Sequence, residues 1–175
     1  QASPGRMTTL VKESLLIRET LQSDRDALVS IIERTSNLTR EEKDCAAELL
    51  QIYLTDPGQR DYYFITALKE GGPAGYACYG GHSLAQGVYD LYWIVVDEDL
   101  KGSGIGRALV EKTQEILCSL SARMIVAETS GLPAYAAARG FYMKCGFSEE
   151  ARIKDFYKPD DDIVFFVKRL KQKAK

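Results

Sequence analysis

The feature that most constrains the fold of this chain is a strand, a glycine-rich turn and a helix within Val88–Leu117. Aromatic and β-branched residues fill Tyr89–Val96, which predicts a strand. An acidic turn, Asp97–Asp99, and a glycine cluster, Gly102–Gly106, follow it. Apolar side chains then recur at helical spacing, which predicts an amphipathic helix that begins in the glycine cluster. The predicted apolar stripe comprises Ile105, Leu109, Ile116, Leu117 and Leu120.

The turn between this strand and this helix has the properties of an anion-binding site. The first backbone N–H groups of a helix have no acceptor within the helix, and the helix dipole adds partial positive charge there. Glycine has no Cβ, so a phosphate group can approach the backbone closely. Lys101 and Arg107 flank the turn and could add positive charge. The alternative is a tight turn that binds nothing, and the local pattern leaves both interpretations open.

Two common phosphate-binding motifs do not fit this turn. A P-loop needs Lys and then Ser or Thr after its last glycine, whereas Gly106 is followed by Arg107 and Ala108. A dinucleotide-binding fingerprint that starts at Gly102 needs a third glycine five residues later, and that position also holds Arg107. Neither motif therefore explains the glycine cluster.

The pattern that does fit is [Gln/Arg]-x-x-Gly-x-[Gly/Ala], read over Lys101–Gly106 with Lys in place of Gln or Arg. It resembles the coenzyme A pyrophosphate loop of the GNAT superfamily of N-acyltransferases. Tyr92–Asp97 is similar to the fourth strand of that family, and Phe141–Phe147 resembles its Phe-Tyr-x-x-x-Gly-Phe motif. The three matches occur in the order of the family, and the resemblance spans about Leu15–Leu170.

The resemblance implies an N-acetyltransferase that moves an acetyl group from acetyl-CoA directly to a primary amine, with no metal ion. It also implies that the pantetheine arm lies between two splayed parallel strands. The hydroxyl of Tyr142 would then lie near the coenzyme A sulfur and act as the acid. The residues expected at the cofactor are Ile94, Val95, Val96, Lys101, Gly102, Ser103, Gly104, Ile105, Gly106 and Arg107.

Acetyl transfer to an amine also needs a base. The pKa of a lysine-like ammonium is about 10, so the acceptor must lose a proton before it attacks the thioester, directly to a base or through water. Asp90 is one candidate, because period-2 alternation places it on the strand face of Ile94 and Val96. Glu128 is the other, because it ends a parallel strand, where open α/β sheets form ligand crevices. Each carboxylate could instead be a solvated surface group.

Four further residues are secondary candidates. Tyr157 and Asp155 could line the acceptor pocket or lie on the surface. His82, the one histidine of the sequence, is interpreted as a loop residue. A covalent route through Cys145 would need a base beside it, so a packed core thiol is the preferred interpretation.

The remaining patterns predict a single domain over residues 10–172 with the element order β-α-α-β-β-β-α-β-α-β-β. The expected fold class is α+β, with a GNAT-like, mostly antiparallel central sheet and one splayed parallel strand pair. That pair is Tyr89–Val96 and Met124–Glu128, connected by a helix over Gly104–Leu120. Residues 1–9 are expected to be a disordered lead or a remnant of cloning.

Two helix starts are also predicted from capping residues. Ser23 precedes an apolar stripe and is a predicted N-cap, with Asp26 at the third helical position. Thr39 with Glu42 forms a capping-box signature before a second helix. The other predicted strands are Leu15–Glu19, Tyr62–Lys69, Ala74–Tyr79, Phe147–Phe156 and Ile163–Lys168.

Composition limits the partners of the chain. A net charge of −2, from 23 basic and 25 acidic residues, gives no reason to expect nucleic acid or an anionic membrane. No apolar run reaches the about 18 residues of a membrane span, and no secretory signal is visible. The four scattered cysteines contain no C-x-x-C pair, which argues against a zinc site and a disulfide framework. Reduced thiols predict a cytoplasmic location.

The sequence leaves the acceptor open between a small molecule and a peptide, and it also leaves the base and the oligomeric state, including a homodimer, undecided. Two alternatives to an acetyltransferase remain at this point. One is a non-catalytic acyl-CoA-binding module, which would bind coenzyme A without releasing its thiol. The other is a phosphate- or nucleotide-binding protein built on the same glycine turn.

Overall fold

The computed structural model describes residues 14–171. Its strands are β1 (Leu16–Glu19), β2 (Tyr63–Lys69), β3 (Gly72–Gly81), β4 (Val88–Val96), β5 (Met124–Ser130), β6 (Ser148–Lys158) and β7 (Asp161–Arg169). Its helices are α1 (Arg25–Arg34), α2 (Arg40–Thr55), α3 (Ile105–Ser119) and α4 (Ala136–Lys144). This order confirms the predicted β-α-α-β-β-β-α-β-α-β-β arrangement and the α+β class. The expected lead at residues 1–9 and both ends of the predicted domain lie outside the described residues.

The seven strands form one sheet in the order β1-β2-β3-β4-β5-β7-β6, with helices packed on both faces. Helices α1 and α2 cover one face through a core that includes Leu28, Leu50 and Tyr76. Helix α3 covers the other face through a core that includes Leu109 and Phe166, against which α4 also packs. We call these the α1–α2 face and the α3–α4 face. The sheet between them carries the candidate site.

The parallel pair of β4 and β5 is short, and its end defines a cleft. Pairing covers Val88 with Met124, Tyr89 with Ile125 and Asp90 with Val126, and then stops. Beyond this point β4 stays paired with β3, while β5 stays paired with β7. The splayed parallel pair predicted from the sequence is therefore confirmed.

A bulge in β4 lies directly after the last parallel pair. Leu91 pairs with Tyr79 and Trp93 pairs with Cys78, so Tyr92 is the extra residue on β4. A bulge of this kind bends its strand and increases the local twist, which helps β4 turn away from β5. Gly80 lies beside the bulge and allows the backbone of Asp61 to approach closely, because a Cβ at this position would lie 1.9 Å from the backbone oxygen of Asp61.

The bulge also changes which side chains share a face. Leu91 and Ile94 are three residues apart, yet both pack on the α3–α4 face. Trp93 packs instead on the α1–α2 face. The prediction that Asp90 shares a face with Ile94 is therefore wrong, because the extra residue shifts the alternation by one position. Asp90 lies opposite Leu91, on the α1–α2 face.

The helix starts and stripes are partly as predicted. The capping box is confirmed, since Thr39 Oγ1 accepts from the Glu42 N–H at 3.2 Å and the Glu42 carboxylate accepts from the Thr39 N–H at 2.8 Å. The predicted N-cap at Ser23 is wrong, because a 3₁₀ turn occupies Gln22–Asp24 before α1. The predicted stripe of α3 is wrong at Leu120, which is 58% exposed beyond the end of the helix.

Candidate functional site

The glycine turn adopts a backbone conformation that explains two of its glycines. Gly102 has φ of +78° and Gly104 has φ of +85°, in the left-handed region that favours glycine. A Cβ added to either residue would meet no atom within 4 Å. The conformation therefore requires glycine, while the space beside both residues is open to a ligand.

The start of α3 presents a row of unpaired backbone donors. The first helical hydrogen bond runs from the Ala108 N–H to the Gly104 oxygen, at 3.0 Å. Within residues 14–171, no acceptor pairs with the N–H groups of Ser103–Arg107. The Ser103 hydroxyl closes the preceding turn by donating to the Leu100 oxygen. This arrangement is the one that binds phosphate groups at helix N-termini.

The two basic residues of the turn already have carboxylate partners. Lys101 Nζ lies 2.9 Å from Glu98 Oε1, and Arg107 Nε lies 3.1 Å from Glu111 Oε1. Glu98 also accepts from the Ser36 N–H at 2.8 Å, which ties this turn to the end of α1. The binding of an anion at this turn would therefore depend chiefly on the backbone N–H groups and on the helix dipole.

Gly106 has a different role from that of Gly104. A Cβ at Gly106 would lie 3.1 Å from the ring of Phe141 on α4. The small residue thus allows α4 to approach the start of α3. This contact brings the next residue of α4, Tyr142, to the same end of the sheet as the glycine turn.

The cleft between β4 and β5 offers backbone groups to a ligand. Within the described residues, the edge of β4 that faces β5 has no strand partner after Asp90. Ile94, Val95 and Val96, the predicted contacts of the pantetheine arm, lie on this part of β4. An open strand edge presents unpaired N–H and C=O groups, so an extended amide-containing ligand could bind there.

Tyr142 packs among three aromatic rings on the α3–α4 face. Its ring centroid lies 5.7 Å from that of Phe141, 5.5 Å from that of Phe147 and 5.6 Å from that of Phe166. The Tyr142 hydroxyl makes no hydrogen bond within the described residues. It is not fully buried, because the one fully buried side-chain oxygen without a partner in these residues is that of Tyr76. Burial raises the pKa of Tyr142 to about 12. The phenol is therefore protonated at neutral pH, as a proton donor must be.

The two base candidates lie on the same face of the sheet, the α1–α2 face. Glu128 is two residues beyond Val126, the parallel partner of Asp90, so both side chains project to one side. Glu128 is exposed to the cleft and forms no ion pair within the described residues. Its pKa is raised, first by loss of surrounding water and then by the charge of Asp90. Sequence reasoning identified both carboxylates but could not place them together.

Asp90 has a partner that the sequence did not reveal. Asp90 Oδ2 lies 2.8 Å from His82 Nδ1. His82 is two residues beyond Gly80, which pairs with Asp90, so the two side chains are diagonal neighbours on one face. The interpretation of His82 as a simple loop residue is therefore incomplete. Only the register of the β3–β4 hairpin could have indicated this contact.

Aromatic and acidic side chains lie together around Tyr157. The Tyr135 hydroxyl lies 3.1 Å from both carboxylate oxygens of Glu42. Burial raises the pKa of Tyr157 to about 12, with further contributions from Glu128, Asp161 and Glu42. Tyr157 is thus close to these carboxylates, one of which is the base candidate Glu128.

Two other sequence candidates have local structural roles. Asp155 has φ of +53° and accepts from the Asp160 N–H at 2.7 Å, so it shapes the β6–β7 hairpin. Cys145 is buried, with 7% of its surface exposed, and burial raises the pKa of its thiol. Among residues 14–171, no cluster of three or more potential ligands could hold a metal ion. In the same residues, no helix has both the length and the apolarity to cross a bilayer.

Comparisons with known proteins agree with this fold. The family described as "Acetyltransferase (GNAT) domain" matches residues 60–149. A structure described as a GNAT-family acetyltransferase from Desulfovibrio desulfuricans is 37% identical with a TM-score of 0.84, and the match covers 89% of this chain and 99% of that chain. No curated protein sequence matches the chain.

Two more distant structures share the fold alone. The ribosomal-protein-S18-alanine N-acetyltransferase of Escherichia coli is 22% identical with a TM-score of 0.71, covering 93% of this chain and 97% of that chain. An aminoglycoside 6′-N-acetyltransferase complexed with coenzyme A is 14% identical with a TM-score of 0.70, covering 91% of this chain and 99% of that chain.

Proposed function

The chain belongs to the GNAT family of acetyltransferases and is an acyltransferase, and from this premise we propose that it transfers acetyl from acetyl-CoA directly to a primary amine. The acceptor is a small molecule or a peptide. One observation carries the proposal: the parallel strands part at Asp90, whose carboxylate shares a sheet face with that of Glu128, and the open edge of β4 beyond it leads towards a helix start with unpaired donors.

The cofactor half of the cleft supports acetyl-CoA as the acetyl donor. The N–H groups of Ser103–Arg107 would hold the pyrophosphate, and the open sides of Gly102 and Gly104 would admit it. The free edge of β4 over Ile94–Val96 would pair with the amide groups of the pantetheine arm. The distant aminoglycoside 6′-N-acetyltransferase complexed with coenzyme A has the same fold.

The acceptor half of the cleft supports an amine. Asp90 and Glu128 would attract an ammonium group, and no lysine or arginine within the described residues forms an ion pair with either. Tyr157 and Tyr135 would supply an aromatic wall, which favours a cationic group through its ring faces.

The proposed reaction needs one proton transfer on the α1–α2 face of the sheet and another on the α3–α4 face. On the α1–α2 face, which carries Asp90 and Glu128, the ammonium group of the acceptor loses a proton. The neutral amine attacks the thioester carbonyl, the nitrogen loses its second proton to solvent as the amide forms, and the carbon–sulfur bond breaks. Tyr142, protonated at neutral pH, gives its proton to the departing thiolate and is protonated again from solvent. The products are an N-acetyl amine and free coenzyme A.

The proposal includes the cellular setting. We place the enzyme in the cytoplasm, where cysteines stay reduced, and we include a homodimer as an assembly to be tested. Size-exclusion chromatography with light scattering decides between a monomer of 19.5 kDa and a homodimer of twice that mass.

The experiment is a panel of amines incubated with the enzyme and acetyl-CoA. It should include a peptide with a free N-terminus, lysine, a polyamine, an amino acid and an aminoglycoside. Free thiol is followed continuously, and mass spectrometry checks that the amine has gained one acetyl group. We expect thiol release and acetylation together for at least one amine. Tight coenzyme A binding without thiol release across the panel would favour a non-catalytic binding module instead.

A further inference from the structure

His82 and Asp90 form a direct side-chain contact on the sheet face that also carries Glu128. His82 Nδ1 and Asp90 Oδ2 are 2.8 Å apart, the separation of a direct hydrogen bond. The backbone fixes His82 as well, since its N–H donates to the Val88 oxygen at 2.9 Å. One hydrogen bond thus holds the backbone of His82 and another holds its imidazole, although the side chain remains 55% exposed.

The His82–Asp90 pair lies at the start of the cleft. Asp90 is the last residue of β4 that pairs with β5, so His82 lies beside the point where the strands part. Glu128 lies on the same sheet face, and the charges of both Asp90 and His82 act on its carboxylate. His82, Asp90 and Glu128 thus form one group of titratable side chains at this position.

The chemistry of the three groups differs. A carboxylate of ordinary pKa, near about 4, is a weak base for an ammonium at neutral pH. An imidazole changes charge between about pH 5 and pH 8, which makes it the better proton acceptor under those conditions. A carboxylate bonded to one ring nitrogen holds that nitrogen protonated and leaves the other nitrogen free to accept a proton.

We propose that His82 is the catalytic base of the acceptor reaction and that Asp90 is a positioning residue that holds its Nδ1 protonated. This inference rests on the proposed transfer to an amine. His82 Nε2 accepts the proton of the acceptor, the amine nitrogen forms a bond to the acetyl carbon, and the bond from that carbon to sulfur breaks. The thiolate takes its proton from Tyr142. The nitrogen gives its second proton to solvent as the amide forms, Tyr142 is protonated again from solvent, and His82 returns its own proton to solvent. Glu128 holds the ammonium before the transfer.

The first test observes the tautomer and does not depend on activity. His82 is the only histidine of the chain, so a nitrogen-15 NMR spectrum of the histidine ring is assigned without ambiguity. At a pH where the ring is neutral, we expect a protonated Nδ1 and an unprotonated Nε2. Asp90→Asn should remove this preference. A neutral ring with its proton on Nε2 in the parent protein would overturn the proposal.

The second test uses amines of one shape and different basicity. Ethylamine, 2-fluoroethylamine and 2,2-difluoroethylamine are nearly equal in size, and each fluorine lowers the pKa of the ammonium. His82→Gln can still bond to Asp90 but cannot act as the base. It should lower kcat/KM for ethylamine about 10²-fold to 10⁴-fold, and the loss should shrink along the series, because a less basic amine is already neutral.

Two controls separate a chemical role from a structural one. Ser83→Ala changes the next exposed residue of the same loop and should leave kcat/KM unchanged. The double variant His82→Gln with Asp90→Asn should lose no more kcat/KM than the more impaired of the two single variants, because both substitutions remove the same function. An equal loss for all three amines, or none with ethylamine, would refute His82 as the base. Failure of the parent enzyme to acetylate any amine would instead refute the proposed function, and the tautomer would still be measurable.

Discussion

The glycine turn yields a prediction whose size follows from the backbone. Gly104→Ala places a methyl group on a residue with φ of +85°. A residue with a Cβ in the left-handed region costs about 1–2 kcal/mol. The methyl group meets no protein atom within 4 Å, so no steric penalty is added. The free energy of unfolding should therefore fall by about 1–2 kcal/mol, with the domain still folded.

The chain offers a matched control for this variant. Gly71, in the turn between β2 and β3, has φ of +80° and also has no atom within 4 Å of an added Cβ. Gly71→Ala should thus lose a similar amount of stability. It lies in a different turn from the unpaired N–H groups of Ser103–Arg107, so it should leave coenzyme A binding unchanged.

The two variants should differ in cofactor affinity alone. At Gly104 the methyl group would occupy the space through which a pyrophosphate approaches the N–H groups. We expect the Kd for coenzyme A, measured by calorimetry, to rise at least about tenfold, which corresponds to about 1.4 kcal/mol. Urea unfolding of both variants verifies that their stabilities match. Equal coenzyme A affinity in the two variants would refute the assignment of this turn to the pyrophosphate.

Three further predictions concern single side chains. Tyr142→Phe keeps the aromatic packing but should lower kcat by about 10²-fold or more with coenzyme A affinity nearly unchanged; steady-state kinetics with a kcat within twofold of the parent would reduce Tyr142 to a packing residue. Burial raises the pKa of Tyr79 to about 12, above the unfolded value of 10, so its stabilising contribution is complete below pH 10 and is lost as the pH rises towards 12. The free energy of unfolding should fall across this interval by about 3 kcal/mol for this tyrosine, and constant stability would contradict the assignment. Thr39→Ala removes the N-cap of α2 and should cost about 1 kcal/mol in urea unfolding; an unchanged midpoint would show that the capping box contributes little.

The sequence predicts those parts of the fold that depend on local chemistry. The left-handed glycines, the helix that follows them and the capping box at Thr39 each follow from a few adjacent residues. The parallel pair follows from one strand–helix–strand unit and the preference for right-handed crossovers. The residues of the proposed cofactor half could therefore be named from the sequence alone, although the exposure of Leu120 shows that the end of a helix can be misjudged.

The acceptor half depends on register, which the sequence does not encode locally. The bulge at Tyr92 shifts the alternation of β4, so Asp90 lies on the face opposite to the predicted one. The pairing of Gly80 with Asp90 brings His82 to Asp90 across the β3–β4 hairpin, and no sequence motif indicates that contact. Tyr135 and Glu42 meet although they are 93 residues apart. Contacts of this kind follow from the packing of the whole sheet.

Amide hydrogen exchange with and without coenzyme A tests the central claim most directly. The account predicts slower exchange in two segments on binding, the strand edge at Ile94–Val96 and the turn at Gly102–Arg107. The core segment Leu28–Ile32 of α1 should exchange at the same rate in both states. Protection confined to other segments, or no protection with coenzyme A at saturation, would contradict the placement of the cofactor in this cleft.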